Sequence, residues 1–116
     1  IDVLRLSTAH VYLTYPFVLS WSLLEAMSCG CALIASDTAP VREVLHPGHN
    51  GLLVDFFSPA ALAATIIAAL ANPDSTQPLR AQARRDIVDR FDLATCTLPR
   101  LVTLVSDLAA EGPAGL

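Results

Sequence analysis

The stretch YPFVLSWSLLEAMSCGCALIAS, residues 15–36, reads as a loop, a helix and a strand in close succession, and Glu25 is its only charged residue. From about Leu19 to Ser28 the apolar residues Leu19, Leu23, Leu24 and Met27 recur at helical spacing. Ser20 or Ser22 stands where a cap is needed, and Gly30 where the helix must stop. CALIAS (31–36) is then a continuous apolar run with no alternation, the pattern of a strand covered on both faces and therefore central in its sheet.

Upstream, HVYLT (10–14) is β-branched, aromatic and apolar enough for a short strand, and it ends at Tyr15-Pro16, where proline removes a ladder donor. Downstream, DTAPVREVL begins with the cap formers Asp37 and Thr38, sets Pro40 in a first turn and carries Val41, Val44 and Leu45 on one side, which predicts a short helix. HPGHNG (46–51) is a turn cluster, with Asn50-Gly51 read as the pair that needs positive φ. GLLVD (51–55) reads as a third buried strand. Ser58-Pro59 opens a helix ending near Asn72 with Leu62, Ile66, Ile67 and Leu70 on its inner stripe. A further helix runs from about Gln77 to Arg90, and a last one carries Leu101, Val102, Leu104, Val105 and Leu108.

The order β-α-β-α-β-α followed by two helices predicts an α/β fold of three layers, a parallel sheet of about three strands with right-handed crossovers. A doubly wound nucleotide-binding domain uses about six strands in two halves, so this chain matches part of one, a partial Rossmann-like unit over residues 1–110 with a frayed tail at 111–116. The HVYLT strand is expected to lie at an edge that invites a partner, including a second copy of the chain.

At 116 residues the chain has room for one small domain or part of a larger one. Hydrophobic residues make up 53% and charged residues 16%, which excludes a disordered chain. The longest apolar run, SPAALAATIIAALANP, is about 12 residues between Pro59 and Asn72, short of the ~20 of a membrane span, so it reads as a soluble helix. No secretory signal opens the residues at hand, and a start at Ile1 rather than Met is read as truncation. Net charge is −4 and all seven basic residues are arginines, so no large positive field draws nucleic acid. Cys29, Cys31 and Cys96 fit neither a disulfide framework nor zinc pairings and read as buried thiols of a cytoplasmic protein.

Loops leaving the carboxyl ends of parallel strands form the ligand crevice of such sheets, and YPFVLS is one of these loops. A helix N-terminus offers free N–H groups and about half a positive charge, a seat for a phosphate or diphosphate. Here Leu19, Ser20, Trp21 and Ser22 are the expected amide donors. Glu25, one turn in, is placed to accept bonds from ribose hydroxyls.

SLLEAMSCGCALIASDTAPVREVLHPGHNGLLVDFFSPAALA resembles the C-terminal domain of the family 4 retaining glycosyltransferases, of GT-B fold, and the likeness covers roughly residues 10–110. Its core is LLEAMSCGCALIAS followed by EVL and NGLLV at fitting spacing. The resemblance implies a hexosyltransferase-like enzyme whose C-terminal domain binds a nucleotide-diphosphate sugar as donor substrate, with no cofactor and no metal. It implies an N-terminal acceptor domain in the same chain, absent from these residues, as are the basic residues the family uses on the diphosphate. It is also compatible with peripheral membrane association of the parent. Two glutamates eight positions apart mark the family's site. The second falls on Glu25 and implies a ribose contact; the first falls on Phe17, where this sequence departs from the pattern. No Asp or Glu occurs between Asp2 and Glu25. Thr38 falls where the family keeps small residues near the donor sugar.

Plainer readings stand beside these. Glu25 has a plainer reading as a solvated helix residue, though its place in the matched motif favours the site; Ser20 and Ser22 read equally as simple caps, Trp21 as a residue that packs on the core or meets a partner domain, and Thr38 equally as a helix cap. Glu43 matches a common glutamate of the family on that helix and reads equally as a partner of Arg42 or as a surface residue. His10, His46 and His49 lack metal-like spacing. Arg80, Arg84 and Arg85 share a face with Asp86 and Asp89 nearby, which reads as a solvated helix surface. Two alternatives to the enzyme remain at this point: a non-catalytic flavodoxin-like or receiver-like interaction module, for which only Asp37 and Asp55 lie near strand ends, and a degenerate glycosyltransferase that has kept the fold but lost transfer.

Overall fold

A computed structural model describes residues 1–15 and 17–111. Three parallel strands, β1 (His10–Tyr12), β2 (Leu33–Ser36) and β3 (Leu52–Val54), form one sheet in the order β1-β2-β3. His10 pairs with Leu33 in the first ladder and Ile34 with Leu52 in the second. All four residues of β2 are buried, as its unbroken apolar run requires. Leu33 and Ala35 enter the core on one face while Ile34 enters the core on the other.

Six α-helices flank the strands among the described residues: α1 (Asp2–Leu6), α2 (Trp21–Ser28), α3 (Ala39–Arg42), α4 (Pro59–Ala71), α5 (Gln77–Phe91) and α6 (Leu98–Glu111). Leu23, Ala26 and Met27 of α2, Val41 of α3 and Ala83 and Ile87 of α5 build the larger core with Leu33 and Ala35. Ala69 of α4 covers Ile34 and Val54 on the opposite face, with Leu62 and Ile66 packed beside it. The outcome is the three-layer α/β arrangement, with β2 central and β1 at an edge.

Several expectations change. The stripe α4 turns inward is Leu62, Ile66 and Ala69, while Ile67 and Leu70 face outward, because a sheet edge three strands wide accepts only one narrow row of the helix. Of the thiols only Cys31 is buried; it donates to the Leu4 carbonyl at 3.2 Å, and burial pushes its pKa up. A short α1, a 3-10 turn at Pro73–Thr76 and a π turn at Leu93–Thr97 were not evident from periodicity, each being a single turn. Helix α6 runs to Glu111, and residues 112–116 of the expected tail, like Pro16, lie outside the described residues. The stretch long and apolar enough to cross a bilayer by length and composition is the helical run Pro73–Ala110, not the alanine-rich α4. Its α5 half is docked in the core through Ala83 and Ile87, whereas every residue from Leu98 to Ala110 is exposed, which stretches the molecule to 59 Å.

Positive φ occurs at Gly48, not at Asn50-Gly51. Asn50 is instead a buried hub: its side-chain oxygen accepts from the His46 amide at 2.6 Å, and its nitrogen donates to the Val44 carbonyl at 2.9 Å and to Asp86 at 2.7 Å. Gly51 packs tightly on the core, since a Cβ there would meet Leu45 Cδ2 at 2.7 Å and the buried Leu45 side chain would have to shift.

Arg84 and Arg85 of α5 are exposed, as a solvated face requires, whereas Arg80 is partly buried, and two of these arginines reach the end of α2. Gly30 takes φ +70° and closes α2 with paired bonds, its own amide to Met27 and the Cys31 amide to Ala26, at 3.0 and 3.1 Å. Arg80 Nε then donates to the Gly30 carbonyl at 2.7 Å and Arg84 to the Ser28 carbonyl at 2.8 Å, so two cations sit at the negative end of the helix. Arg85 turns to Gln82 on the surface. Arg80→Ala should therefore cost about 1–2 kcal/mol of stability, whereas Arg85→Ala should stay within about 0.5 kcal/mol. Urea denaturation of both variants checks this, and equal midpoints would remove the arginine cap from the account.

Candidate functional site

Parallel pairing brings the loops after β1, β2 and β3 to the same edge of the sheet. The first of them is tied down by its neighbours. Ser36, buried at the end of β2, accepts from the Thr14 amide at 3.1 Å and donates to the Thr14 carbonyl at 3.0 Å. The Tyr12 hydroxyl, in the core at the end of β1, accepts from the Ser20 amide at 2.9 Å. The strand thus holds the start of α2 through a tyrosine that periodicity marks only as a core residue.

Ser20 is the N-cap of α2. Its hydroxyl accepts from the Ser22 amide at 3.3 Å and lies 3.1 Å from the Ser22 hydroxyl. Of the four nominated amides, those of Ser20 and Ser22 therefore have partners within the chain, while that of Trp21 has none among the described residues. Leu19 is half-buried against the core. Trp21 does not pack inward: it is 81% exposed, because Leu23, Ala26 and Met27 occupy the side of α2 that meets the sheet.

Glu25 is exposed, and its carboxylate has neither an ion pair nor a hydrogen bond among the described residues. It is the only charged group lining an open, largely apolar pocket of about 630 Å³ between α2 and the end of α5, whose walls include Trp21, Leu24, Ile87, Phe91 and Leu93. Phe17, where the resemblance has its first glutamate, is 81% exposed on the loop after β1.

The loop after β2 holds Thr38, the N-cap of α3, yet its hydroxyl makes no capping bond. Thr38 is 6% exposed, and its Oγ1 is the one buried side-chain polar atom without a partner among the described residues. A hydroxyl left so costs about 1–3 kcal/mol, so it calls for an account. Arg42, at the end of α3, reaches back to Asp37 rather than to Glu43, with Nε on one carboxylate oxygen and Nη2 on the other, the latter at 2.7 Å. This fork clamps the loop that carries Thr38.

The loop after β3 carries Phe56 and Phe57. Asp55 accepts from the Phe57 amide at 3.0 Å, and Ser58 caps α4 by accepting from Ala61 at 3.3 Å. Tyr15 stands edge-on to both rings, at centroid distances of 5.8 Å to Phe56 and 6.2 Å to Phe57. This aromatic contact across the mouth of the sheet was missed at the level of sequence; the adjacent phenylalanines straight after a buried strand were its one signal. Asp37 and Asp55, the carboxylates a receiver-like reading needs, are both engaged in their own loops.

Residues 5–86 match the family described as glycosyl transferases group 1. The chain belongs to that family. It is 32% identical over 77 residues to the alpha-maltose-1-phosphate synthase of Mycolicibacterium smegmatis, a match over 61% of this chain and 20% of that protein. It is 31% identical over 93 residues to the uncharacterized glycosyltransferase MJ1069 of Methanocaldococcus jannaschii, over 79% of this chain and 24% of that one. This glycosyltransferase chain thus spans about a fifth to a quarter of the length of the curated relatives it matches. Among solved structures, sucrose-phosphate synthase from Thermosynechococcus elongatus superposes with TM-score 0.79 at 28% identity, over 88% of this chain and 26% of that one. Anabaena Alr3699/HepE in complex with UDP-glucose superposes with TM-score 0.81 at 23% identity, over 90% of this chain and 29% of that one. The glycosyltransferase chain is accordingly a portion of a GT-B fold.

The fork from Arg42 holds the Asp37 carboxyl below the usual carboxylate range, chiefly through its hydrogen bond. Because the folded value is the lower one, the pair contributes stability above the ordinary carboxylate pKa and loses it as pH falls through the folded value. In an NMR titration Arg42→Ala should move the Asp37 midpoint up toward the ordinary value; an unmoved midpoint would exclude Arg42 as the cause.

Proposed function

We propose that this chain is the donor-binding part of a retaining glycosyltransferase, which moves a sugar from a nucleotide-diphosphate donor to an acceptor hydroxyl. The observation that carries the reading is the start of α2 at the carboxyl edge of the sheet, with the Trp21 amide unengaged among the described residues and the unpaired Glu25 carboxylate one turn further along. In this reading the diphosphate takes the Trp21 N–H and the positive end of the helix, and Glu25 accepts from the ribose hydroxyls at the rim of the apolar pocket.

Charge that develops on the leaving diphosphate is stabilised by fixed amides and a helix dipole, which need no reorganisation as the bond breaks. This account assigns the chain no metal and no further cofactor, and sets the protein in the cytoplasm, where nucleotide sugars serve as donors. The acceptor is held by residues beyond this chain. The exposed Phe17 favours one second reading, a relative that binds donor without transferring it, since no carboxylate stands there to meet the sugar. Release or transfer of sugar from a nucleotide donor, assayed on the intact protein, separates the two.

Calorimetric titration of the intact protein with UDP, GDP and ADP tests the site itself. Glu25→Ala should weaken the nucleotide that binds by about tenfold, the loss expected for one or two hydrogen bonds to a charged group. Unchanged affinity would remove Glu25 from the site.

A further inference from the structure

The sequence holds seven aromatic residues, one Trp, two Tyr and four Phe, and only Tyr12 is buried in the core. Four of the seven, Tyr15, Phe17, Phe56 and Phe57, stand on the loops after β1 and β3 at the edge where the ligand crevice of a parallel sheet opens. Tyr15 is 63% exposed and Phe57 is 72% exposed, although burying such rings is among the larger gains a small core can make. Each contact in the cluster is edge-to-face, with interplanar angles of 80° to 84°, so each covers at most one of a ring's two faces. The turn that presents Phe57 is fixed by Asp55, and the loop that presents Tyr15 is fixed through Ser36 and Thr14.

The charges at this edge point the same way. Asp37 is forked by Arg42, and Asp55 gives one carboxylate oxygen to the Phe57 amide of its own turn. By strand order the loop with the unpartnered Thr38 hydroxyl lies between the two aromatic loops. At this edge the exposed side chains that lack a fixed polar partner are mainly aromatic, and the unpartnered Thr38 hydroxyl lies buried between them.

We propose that Tyr15 and Phe57, whose rings stand at 83° to one another, form an aromatic platform shaped as a corner for the hexopyranosyl group of the donor, one ring stacking on a face of C–H groups and the other bounding its side, in place of a carboxylate. The negative ring face attracts C–H bonds polarised by the sugar's oxygens, and the apolar contact excludes water beside them. The platform rests on the donor-site reading above and adds what meets the sugar. It acts by binding and positioning, so its effect falls on the sugar-bearing donor and not on the nucleotide alone.

The test compares bare UDP, GDP and ADP with their glucose conjugates, by calorimetry on the intact protein. Tyr15→Ala and Phe57→Ala should each weaken the conjugate by about three- to tenfold, the worth of one aromatic contact, and leave the bare nucleotide within about twofold of wild type. Tyr15→Phe, which keeps the ring, should bind both as wild type does. Equal weakening of nucleotide and conjugate, or weakening of neither, would overturn the platform while Glu25→Ala still weakens the nucleotide. If wild type binds no nucleotide, or Glu25→Ala changes nothing, the donor-site reading fails and the platform with it.

Discussion

The parallel pairing of β2 with a strand on each side is the constraint from which the rest follows. Its four residues are buried on both faces, Leu33 and Ala35 toward α2, α3 and α5, Ile34 toward α4. A strand so placed cannot shift register by one residue without exchanging its two cores. Because both neighbours run parallel to it, the loops that leave all three strands open at one edge. The candidate site is the consequence of that shared direction.

Helix α2 is then fixed at both ends. At its start the Tyr12 hydroxyl holds the Ser20 amide and Ser20 caps Ser22. At its end Gly30 turns the chain in the left-handed region, and Arg80 and Arg84 occupy the carbonyls of Gly30 and Ser28. Held in this way, the helix presents Glu25 on its exposed side, where it is the one charged residue among those that line the apolar pocket against α5. A lone carboxylate in so apolar a segment is intelligible in those terms: the inner side of the helix belongs to the core, and Glu25 stands on the side left exposed.

Much of this was legible in the sequence. The unbroken CALIAS run gave a central strand, the serines and Gly30 bracketed α2, and Pro59 after Ser58 marked the start of α4. What escaped was long-range or side-chain specific. Arg80 and Arg84 look like a solvated face until α5 is laid against α2, 50 and 56 residues from the carbonyls they reach. Asn50 carries the common signature of a turn, and its role as a buried hub depends on Asp86, 36 residues away. Trp21 looked fit for packing, but its helix had already filled its inner face. The places of Phe17 and Glu25 in the family's two-glutamate pattern rest on the resemblance alone, whereas the aromatic contacts of Tyr15 needed two loops to be brought together by the sheet.

The central claim is that a nucleoside diphosphate sits at the N-terminus of α2 with its pentose on Glu25. It is tested most directly by a crystal structure of the intact protein with whichever of UDP, GDP or ADP it binds. The account predicts phosphate oxygens within hydrogen-bond reach of the Trp21 amide and ribose hydroxyls on the Glu25 carboxylate. A nucleotide bound elsewhere, or a Glu25 side chain turned away into solvent beside an occupied crevice, would contradict it.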